Sequence, residues 1–288
     1  MTVALDEPKA SRADAIRSAI VDSTIPKQPD RSVMTTPTDD RHTIASVTRA
    51  LDIVEALWTL DGAGVTELAD YLDMPKSTVH SHLATLDRKG YAVAEEGIYR
   101  LGLRFLHFGE YVKRAQPLYE AAEPAVDDLA AATGEQVFCM VEQHGLATAI
   151  RSGEGERSVR TDLGVGTQSY MHCSAGGKAI LAHLPDERVE EILDQWGLKR
   201  FTEDTITDRD RLREDLQAGR ERGFFLNREE YQRGVTAIGA PVLGEETVYG
   251  AIAVIGPAMR LRGNWSDGEL PNQLLAAANT AEINVSFS

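Results

Sequence analysis

Ser174 and Lys178 are the residues of this chain whose spacing most directly suggests covalent chemistry. Residues four apart share one face of a helix, so the lysine amine could activate the serine hydroxyl as a nucleophile. Cys173 precedes that serine, and together with Cys139 it could instead serve a cysteine-dependent reductase. The structural alternative is a helix that opens at Ser174, preceded by a buried and inert thiol. These residues therefore leave two classes of protein open, an enzyme and a ligand-binding protein.

Metal and cofactor chemistry finds little support in the remaining residues. The seven histidines form no H-x-x-x-H pair, and His80 and His82 lack the spacing of four that a metal pair on a helix prefers. The two cysteines form neither a C-x-x-C motif nor a disulfide framework, which indicates a reducing compartment. We predict no metal and no cofactor.

A second group of polar residues lies on a short helix predicted from about residue 76 to 89. Its apolar residues recur at spacings of three and four, which turns Ser77, Ser81 and Arg88 toward solvent. Small hydroxyl side chains at the exposed start of a helix can bind phosphates or base edges without blocking entry into a DNA groove. The pattern favours a nucleic-acid contact.

The elements around that helix predict a winged helix-turn-helix. Two helices precede it, the second of them short, and we expect Ser46 and Thr66 to cap them. Strand-like runs at 91–94 and 98–101, joined by Glu95-Glu96-Gly97, predict a hairpin after it. Three helices followed by a hairpin within about 60 residues are typical of this DNA-binding fold.

The rest of the chain predicts an α+β domain. Helices are expected at 117–132, 174–183, 186–196, 208–222 and 266–284, and strands at 136–141, 146–151, 235–243 and 247–255. We divide the chain into a disordered tail (1–40, with Met34 as an alternative start), the winged helix-turn-helix (41–107), a connecting helix (108–116) and the α+β domain (117–288).

The net charge of −15 argues against a protein that coats polyanions without specificity. Residues 41–107 carry a net charge of only −2, whereas residues 108–288 carry −11. Carboxylates in excess, with seven lysines among 30 basic residues, resemble the composition of proteins from a salt-loaded cytoplasm such as that of a haloarchaeon. With no signal peptide and no uncharged stretch of membrane-spanning length, we predict a cytoplasmic protein without a membrane partner.

Several short motifs resemble the IclR family of transcriptional regulators. In the first domain they are Ser46-Val-Thr-Arg-Ala-Leu-Asp-Ile, Thr66-Glu-Leu-Ala, Pro75-Lys-Ser-Thr-Val-His and Tyr99-Arg-Leu-Gly-Leu-Arg. Further along they are Cys173-Ser-Ala-Gly-Gly-Lys-Ala-Ile-Leu-Ala, Gly223-Phe-Phe-Leu-Asn-Arg-Glu-Glu and Ala240-Pro-Val-Leu, so the resemblance covers residues 44–285. It implies a winged helix that binds double-stranded operator DNA, a connecting helix and a GAF-like domain that binds a small-molecule effector. It also implies homodimers or dimers of dimers and control of catabolic genes.

The resemblance and the exposed helix face together predict the DNA contacts. The predicted residues are Arg49, Lys76, Ser77, Thr78, His80, Ser81, His82, Thr85, Arg88 and Arg100. Ser81 departs from the family, which often has a large basic residue on this outward face, so we expect weaker or differently specific contact there.

The effector pocket is carried over by position in the family. The predicted residues are Ser174, Ala175, Gly176, Asn227, Ala237, Ala253 and Ile255. Free N–H groups at the start of the helix after Ser174 favour an anionic ligand. The apolar Ala237, Ala253 and Ile255 suit a bulkier, less polar ligand, or a sugar acid or another organic acid held mainly by the helix end, better than a small keto acid.

We therefore predict a ligand-responsive, sequence-specific DNA-binding regulator that is not an enzyme. The alternatives are the two enzymes named above and an adaptor that only oligomerises. Retention of the protein on its own upstream DNA, against excess non-specific DNA, distinguishes these classes.

Overall fold

The computed structural model describes residues 43–158, 163–245, 247–264 and 268–287. The predicted tail, residues 1–40, lies outside the described residues. Every helix and strand named below belongs to one compact unit of the chain.

The first part of this unit is the predicted arrangement of three helices and a hairpin. Its elements are α1 (Ala45–Thr59), α2 (Val65–Tyr71), α3 (Lys76–Arg88), β1 (Ala92–Glu95) and β2 (Ile98–Leu101). The two strands form an antiparallel sheet of their own. Ile53, Leu57, Leu68, Val79 and Leu83 are fully buried in one cluster, so all three helices share a core.

The predicted caps of the first two helices are wrong. Ile44 and Gly64 are the N-caps, both with extended backbone and without a side-chain cap bond, so Ser46 and Thr66 lie inside the helices. A hydroxyl residue near a helix start is the N-cap only when its own backbone is non-helical, which the residue type alone does not reveal.

A connecting segment of three helices follows. It consists of α4 (Arg104–Arg114), α5 (Pro117–Ala121) and α6 (Glu123–Thr133). No residue of α4, which corresponds to the predicted connecting helix, is buried. The single helix predicted at 117–132 is interrupted at Ala122, because Pro124 has no N–H to donate to the carbonyl four residues earlier.

The α+β domain is built on a six-stranded antiparallel sheet. Its strands are β3 (Gln136–Gln143), β4 (Leu146–Glu154), β5 (Gln168–Tyr170), β6 (Phe225–Arg228), β7 (Val235–Leu243) and β8 (Val248–Pro257). They pair in the order β5-β4-β3-β8-β7-β6. β5 and β6 were not predicted, because three or four residues are too few to establish an alternating pattern.

Helices cover both faces of this sheet. They include a 3₁₀ turn (Met171–Cys173), α7 (Ala175–Leu181), α8 (Asp186–Trp196), α9 (Arg209–Arg222), α10 (Ala258–Asn264) and α11 (Glu269–Ser286). α6 and α11 pack with one set of alternate strand residues, and α7, α8 and α9 pack with the other set. None of the helices in the described ranges combines the length and apolar character needed to cross a membrane.

A close approach between α7 and the sheet sets the position of the site. A Cβ atom on Gly239 of β7 would lie 2.7 Å from the carbonyl carbon of Ala175 and 2.9 Å from the backbone nitrogen of Gly176. Only glycine at position 239 allows the first turn of α7 to begin directly against β7.

Candidate functional site

A cavity lies between the first turn of α7 and the sheet face that α7 covers. All seven residues predicted to contact an effector line it, namely Ser174, Ala175, Gly176, Asn227, Ala237, Ala253 and Ile255. The strand register explains this convergence, because Asn227 pairs with Ala237 and Ala237 pairs with Ile255. Ala253 lies two residues from Ile255 and therefore on the same face.

Sequence reasoning missed the other residues that line this cavity. They are Phe138, Met140, Ala149, Leu163, Thr167, Gln168, Ser169, Tyr231, Gln232 and Val235. Phe138 and Met140 alternate along a strand that was predicted, and this places them on one face of the sheet. The alternation shows that these two residues share a face of the sheet, but it does not show which face α7 covers. The sequence therefore did not identify them as cavity residues.

The described residues that line the cavity are electrically neutral and include few polar groups. None of the described residues that line it is an acid, a lysine, an arginine or a histidine. Asn227 is buried, and its Oδ1 accepts a hydrogen bond from the Glu230 N–H at 2.8 Å. This bond leaves the Asn227 amide NH₂ as a donor for a ligand oxygen.

Ser174 caps α7, as its position next to the glycines suggested. Its Oγ accepts hydrogen bonds from the Gly177 N–H at 3.2 Å and from the Ser169 hydroxyl at 3.1 Å. The hydroxyl itself donates to the Tyr170 carbonyl at 2.9 Å. Because the Ser174 hydroxyl donates its hydrogen to a backbone carbonyl, Ser174 has a structural role.

Lys178 does not form the nucleophile pair with Ser174 that the spacing allowed. Its side chain is fully buried, and Nζ lies 2.8 Å from Asp215 Oδ2. The same Nζ lies 2.8 and 3.0 Å from the two carboxylate oxygens of Glu230. An ammonium whose hydrogens are committed to two carboxylates is not a base for a serine four residues away.

Glu230, one of two adjacent acidic residues in the sequence, is buried. Burial raises its pKa, and the nearby Lys178 ammonium opposes that effect. The adjacent residues Glu229 and Glu230 do not show in the sequence which of the two side chains is buried. The contact of Glu230 with Lys178, 52 residues away, therefore could not be predicted.

Both cysteines are poor nucleophiles in this structure. Cys139 packs on the face of the sheet that α6 and α11 cover, and burial raises its pKa to about 12. Cys173 is also buried, which raises the pKa of its thiol. Thiols that remain protonated at neutral pH do not support reductase chemistry.

His172 stands buried beside the start of α7. Its Nε2 lies 3.1 Å from the Lys199 carbonyl oxygen. Burial lowers the pKa of His172 to about 4, because the charged imidazolium would lose its hydration. The ring is therefore neutral at physiological pH. Among the described residues no group of three or more histidines, cysteines and acids could hold a metal ion.

The outward face of α3 carries most of the residues predicted to contact DNA. The exposed ones are Lys76, Ser77, His80, Ser81, Thr85 and Arg88. The Ser81 hydroxyl donates to the Ser77 carbonyl at 2.8 Å, and the Thr85 hydroxyl donates to the Ser81 carbonyl at 2.9 Å. These two oxygens therefore present acceptor positions to an approaching molecule.

The remaining predicted DNA contacts are more dispersed. Thr78 and His82 are half-buried at the edges of the same helix, whereas Arg49 on α1 and Arg100 on β2 are exposed. The structure brings six of the ten residues onto one exposed helix face and leaves four at its margins or on other elements.

Comparison with known proteins covers both parts of the chain. Residues 46–96 match the family described as IclR helix-turn-helix domain, and residues 110–282 match Bacterial transcriptional regulator IclR C-terminal. The chain is 34% identical over 245 residues to a probable HTH-type transcriptional regulator ArcR of Halobacterium salinarum, covering 83% of this chain and 93% of that protein. It is 30% identical to the transcriptional repressor IclR of Escherichia coli, covering 76% and 82%.

Solved structures share the fold. The IclR of Thermotoga maritima superposes with a TM-score of 0.71 at 23% identity, covering 84% of this chain and 99% of that one. An IclR homolog from Microbacterium hydrocarbonoxydans, solved in complex with 4-hydroxybenzoate, gives a TM-score of 0.72 at 22% identity, covering 84% and 100%. With both of its parts matched, the chain belongs to the IclR family of transcriptional regulators, which join a helix-turn-helix DNA-binding domain to a C-terminal effector-binding domain and are not enzymes.

Proposed function

We propose that this protein represses or activates catabolic genes near its own gene by binding operator DNA through α3, and that an organic acid bound in the cavity alters that binding. The observation that carries the proposal is the cavity itself, because seven residues separated in the sequence line one space under α7. A ligand changes DNA affinity only through its different affinities for the DNA-bound and free forms. Such regulation would take place in the cytoplasm, where the DNA is.

The DNA side of the proposal rests on the charge and size of the residues on α3. Lys76 lies at the start of the helix and Arg88 at its end, so both can neutralise phosphates. Between them Ser77, Ser81 and Thr85 are short, which permits close approach to base edges. Arg49 and Arg100 would add phosphate contacts outside the groove.

The lining of the cavity favours a particular kind of acid. A carboxylate would meet the Asn227 amide and the N–H groups at the start of α7, and no cationic side chain among the described lining residues. A second charge, or the several hydroxyls of a sugar acid, would be buried without partners at a considerable cost. A monocarboxylate with an apolar body is therefore the ligand class that we favour, and 4-hydroxybenzoate, found on the Microbacterium homolog, is an example.

The partner that we propose for the folded chain is a second copy of itself. α1 has an outward apolar stripe that includes Val47, Leu51 and Trp58, each more than half exposed. With Ile44 and the half-buried Val54, the stripe repeats at spacings of three and four, which is the pattern of a helix that packs against another helix. α4 adds exposed Leu106 and Tyr111. A homodimer would cover these side chains, and two such dimers could associate further.

The DNA and effector proposals are tested together by fluorescence anisotropy on the protein's own upstream DNA. We expect the protein to stay bound to the labelled fragment in the presence of excess non-specific DNA. We also expect its affinity for the fragment to change with 4-hydroxybenzoate or benzoate, but not with gluconate. Equal affinity for the competitor would overturn specific DNA binding. A response to gluconate alone would overturn the ligand class.

The dimer is tested by light scattering of Leu51→Glu. Burying the stripe against a second copy becomes unfavourable when a carboxylate enters it, so we expect the mass of a monomer. Met259→Glu is the matched control, because Met259 is 97% exposed on α10, away from the stripe, and should leave the mass unchanged. A dimer mass for Leu51→Glu would exclude this surface.

A further inference from the structure

Lys178 is buried beside the cavity but does not line it. Its helix contributes Ser174, Ala175 and Gly176 to the cavity, whereas its Nζ points to Glu230 and Asp215. Asp215 lies on α9, and Glu230 lies in the turn between β6 and β7. One ammonium therefore ties together three elements that are distant in the sequence.

The turn at residues 229–234, which we call the wall turn, is held by several hydrogen bonds and by two ion pairs. Glu229 has a φ of 65°, a left-handed conformation that costs energy for a residue other than glycine. The Thr202 hydroxyl donates to the Glu229 carbonyl at 2.8 Å, and the Thr205 hydroxyl donates to the Glu230 carbonyl at 2.6 Å. The ion pair of Glu230 with Lys178 is buried, whereas the other ion pair of the turn, Arg233 with Glu203 at 2.7 Å, is exposed.

The wall turn has a direct connection to the cavity. Tyr231 and Gln232, which follow Glu230, line the cavity opposite the start of α7. Tyr231 also packs on Phe201, with ring centroids 4.9 Å apart. A displacement of Glu230 would carry the next two residues with it, because they share one short segment of backbone.

We propose that Lys178 is a positioning residue: its ion pair with Glu230 holds the wall turn where Tyr231 and Gln232 form one wall of the cavity. This inference deepens the proposed function, since it matters for regulation only if the cavity is the effector site. Lys178 itself makes no contact with the ligand. The two carboxylates have different roles, because Glu230 belongs to the wall turn and Asp215 does not.

Thiol labelling with Ellman's reagent tests this difference without an effector. Both native cysteines are buried, so a Gln232→Cys protein reports the exposure of the wall turn against a slow background. Into this protein we introduce either Glu230→Gln or Asp215→Asn, which each remove one carboxylate from Lys178. We expect Glu230→Gln to raise the labelling rate about tenfold, the change in opening that a weakened charged hydrogen bond gives. Asp215→Asn should raise it by less than about threefold, because the Lys178–Glu230 pair remains.

A second reporter separates a local displacement from general loosening. Gln168→Cys lies on β5, in the same cavity but outside the wall turn. Its labelling rate should not change with Glu230→Gln. Faster labelling at both positions, equal effects of the two carboxylate variants, or no change at position 232 would each overturn the proposal.

Two further results complete the test. If Glu230→Gln does not fold by circular dichroism, Glu230→Asp replaces it, since the shorter side chain also withdraws the carboxylate from Lys178, and the same rise is expected. Labelling as expected, in a protein whose DNA binding responds to none of the acids, would leave this inference intact and count against the proposed function instead.

Discussion

In the three-helix part of the chain, six of the ten residues predicted to contact DNA lie on the outside of one helix, in water. In the α+β domain, the residues around the cavity come from α7, from strands on both sides of β8 and from two connecting segments, and most are buried. A polar group on α3 keeps its hydration until DNA arrives, whereas a polar group near the cavity needs a partner within the chain. Lys178 with its two carboxylates is the clearest example of that requirement.

The contrast predicts that single substitutions cost stability in one region and affinity in the other. On α3 we expect changes in DNA binding with little effect on folding. Around α7 we expect changes in folding free energy, with effects on DNA binding only through the effector.

The largest expected effect is that of Lys178→Met on stability. The substitution keeps the apolar stem but leaves the buried Glu230 and the partly exposed Asp215 without a cation, so we expect a loss of about 3–5 kcal/mol in the free energy of unfolding. Urea denaturation measures it. Lys113→Met is the control, because Lys113 forms a partly exposed ion pair with Glu110 at 2.8 Å and should lose less than about 1 kcal/mol. Equal losses of unfolding free energy in the two variants would show that burial does not make the Lys178 ion pairs more important than the partly exposed Lys113 pair.

His172 should give the α+β domain a pH dependence of its own. Its folded pKa of about 4 lies below the ordinary value of 6.5, so the unfolded chain takes up the proton first as pH falls. The stabilising contribution is complete above pH 6.5 and is lost progressively down to about pH 4, a total of about 3 kcal/mol.

The measurement for His172 is the difference in unfolding free energy between the wild type and His172→Gln at several pH values. All other titrating groups are shared, so the difference isolates this histidine. Parallel stability curves for the two proteins between pH 6.5 and 4 would show that His172 is not held neutral.

Gly176→Leu should separate the effector response from DNA binding. A Cβ at position 176 would lie 2.8 Å from the Met140 sulfur, so a leucine overfills the cavity at a cost of about 1–3 kcal/mol. We expect operator binding to persist and the response to the effector to disappear, as measured by anisotropy. Gly176→Ala is the control, because the flexible Met140 side chain can give way to one methyl group. A folded Gly176→Leu protein that responds at the wild-type effector concentration would place the pocket elsewhere.

The smallest expected effects concern α3. Ser77→Ala and Thr78→Ala should each weaken operator binding by about 1–2 kcal/mol, the scale of a hydrogen bond to a charged phosphate. Pro75 is the N-cap of this helix, so neither variant removes a capping bond. Thr280→Ala on α11 removes an exposed hydroxyl far along the chain and should leave affinity unchanged. If both α3 variants bind the operator with unchanged affinity, these residues of α3 do not contact the DNA.

The sequence predicted the elements that have a strong period and a sufficient length. α3 and the hairpin strands β7 and β8 fall where their apolar patterns placed them. The short strands β5 and β6 carry no such period, yet β6 supplies Asn227 to the cavity. That residue was identified through the family resemblance and not through any local pattern.

The polar contacts of the buried site were the least predictable. Lys178 was noticed for its spacing from Ser174, but the geometry that decides its role involves Asp215 and Glu230, 37 and 52 residues away. A local pattern shows which residues share a helix face, whereas burial of a charge depends on long-range packing that no short window contains.

The hydroxyl bonds along α3 have a consequence for how the regulator responds to its own abundance. Ser81 and Thr85 direct their hydrogens to backbone carbonyls, and neither side chain is long or charged. We therefore expect one copy of this helix to bind DNA weakly. The proposed homodimer would place two copies on one operator. At concentrations below the dimer dissociation constant, occupancy would follow the square of the amount of protein, and a modest change in synthesis would give a sharp change in transcription.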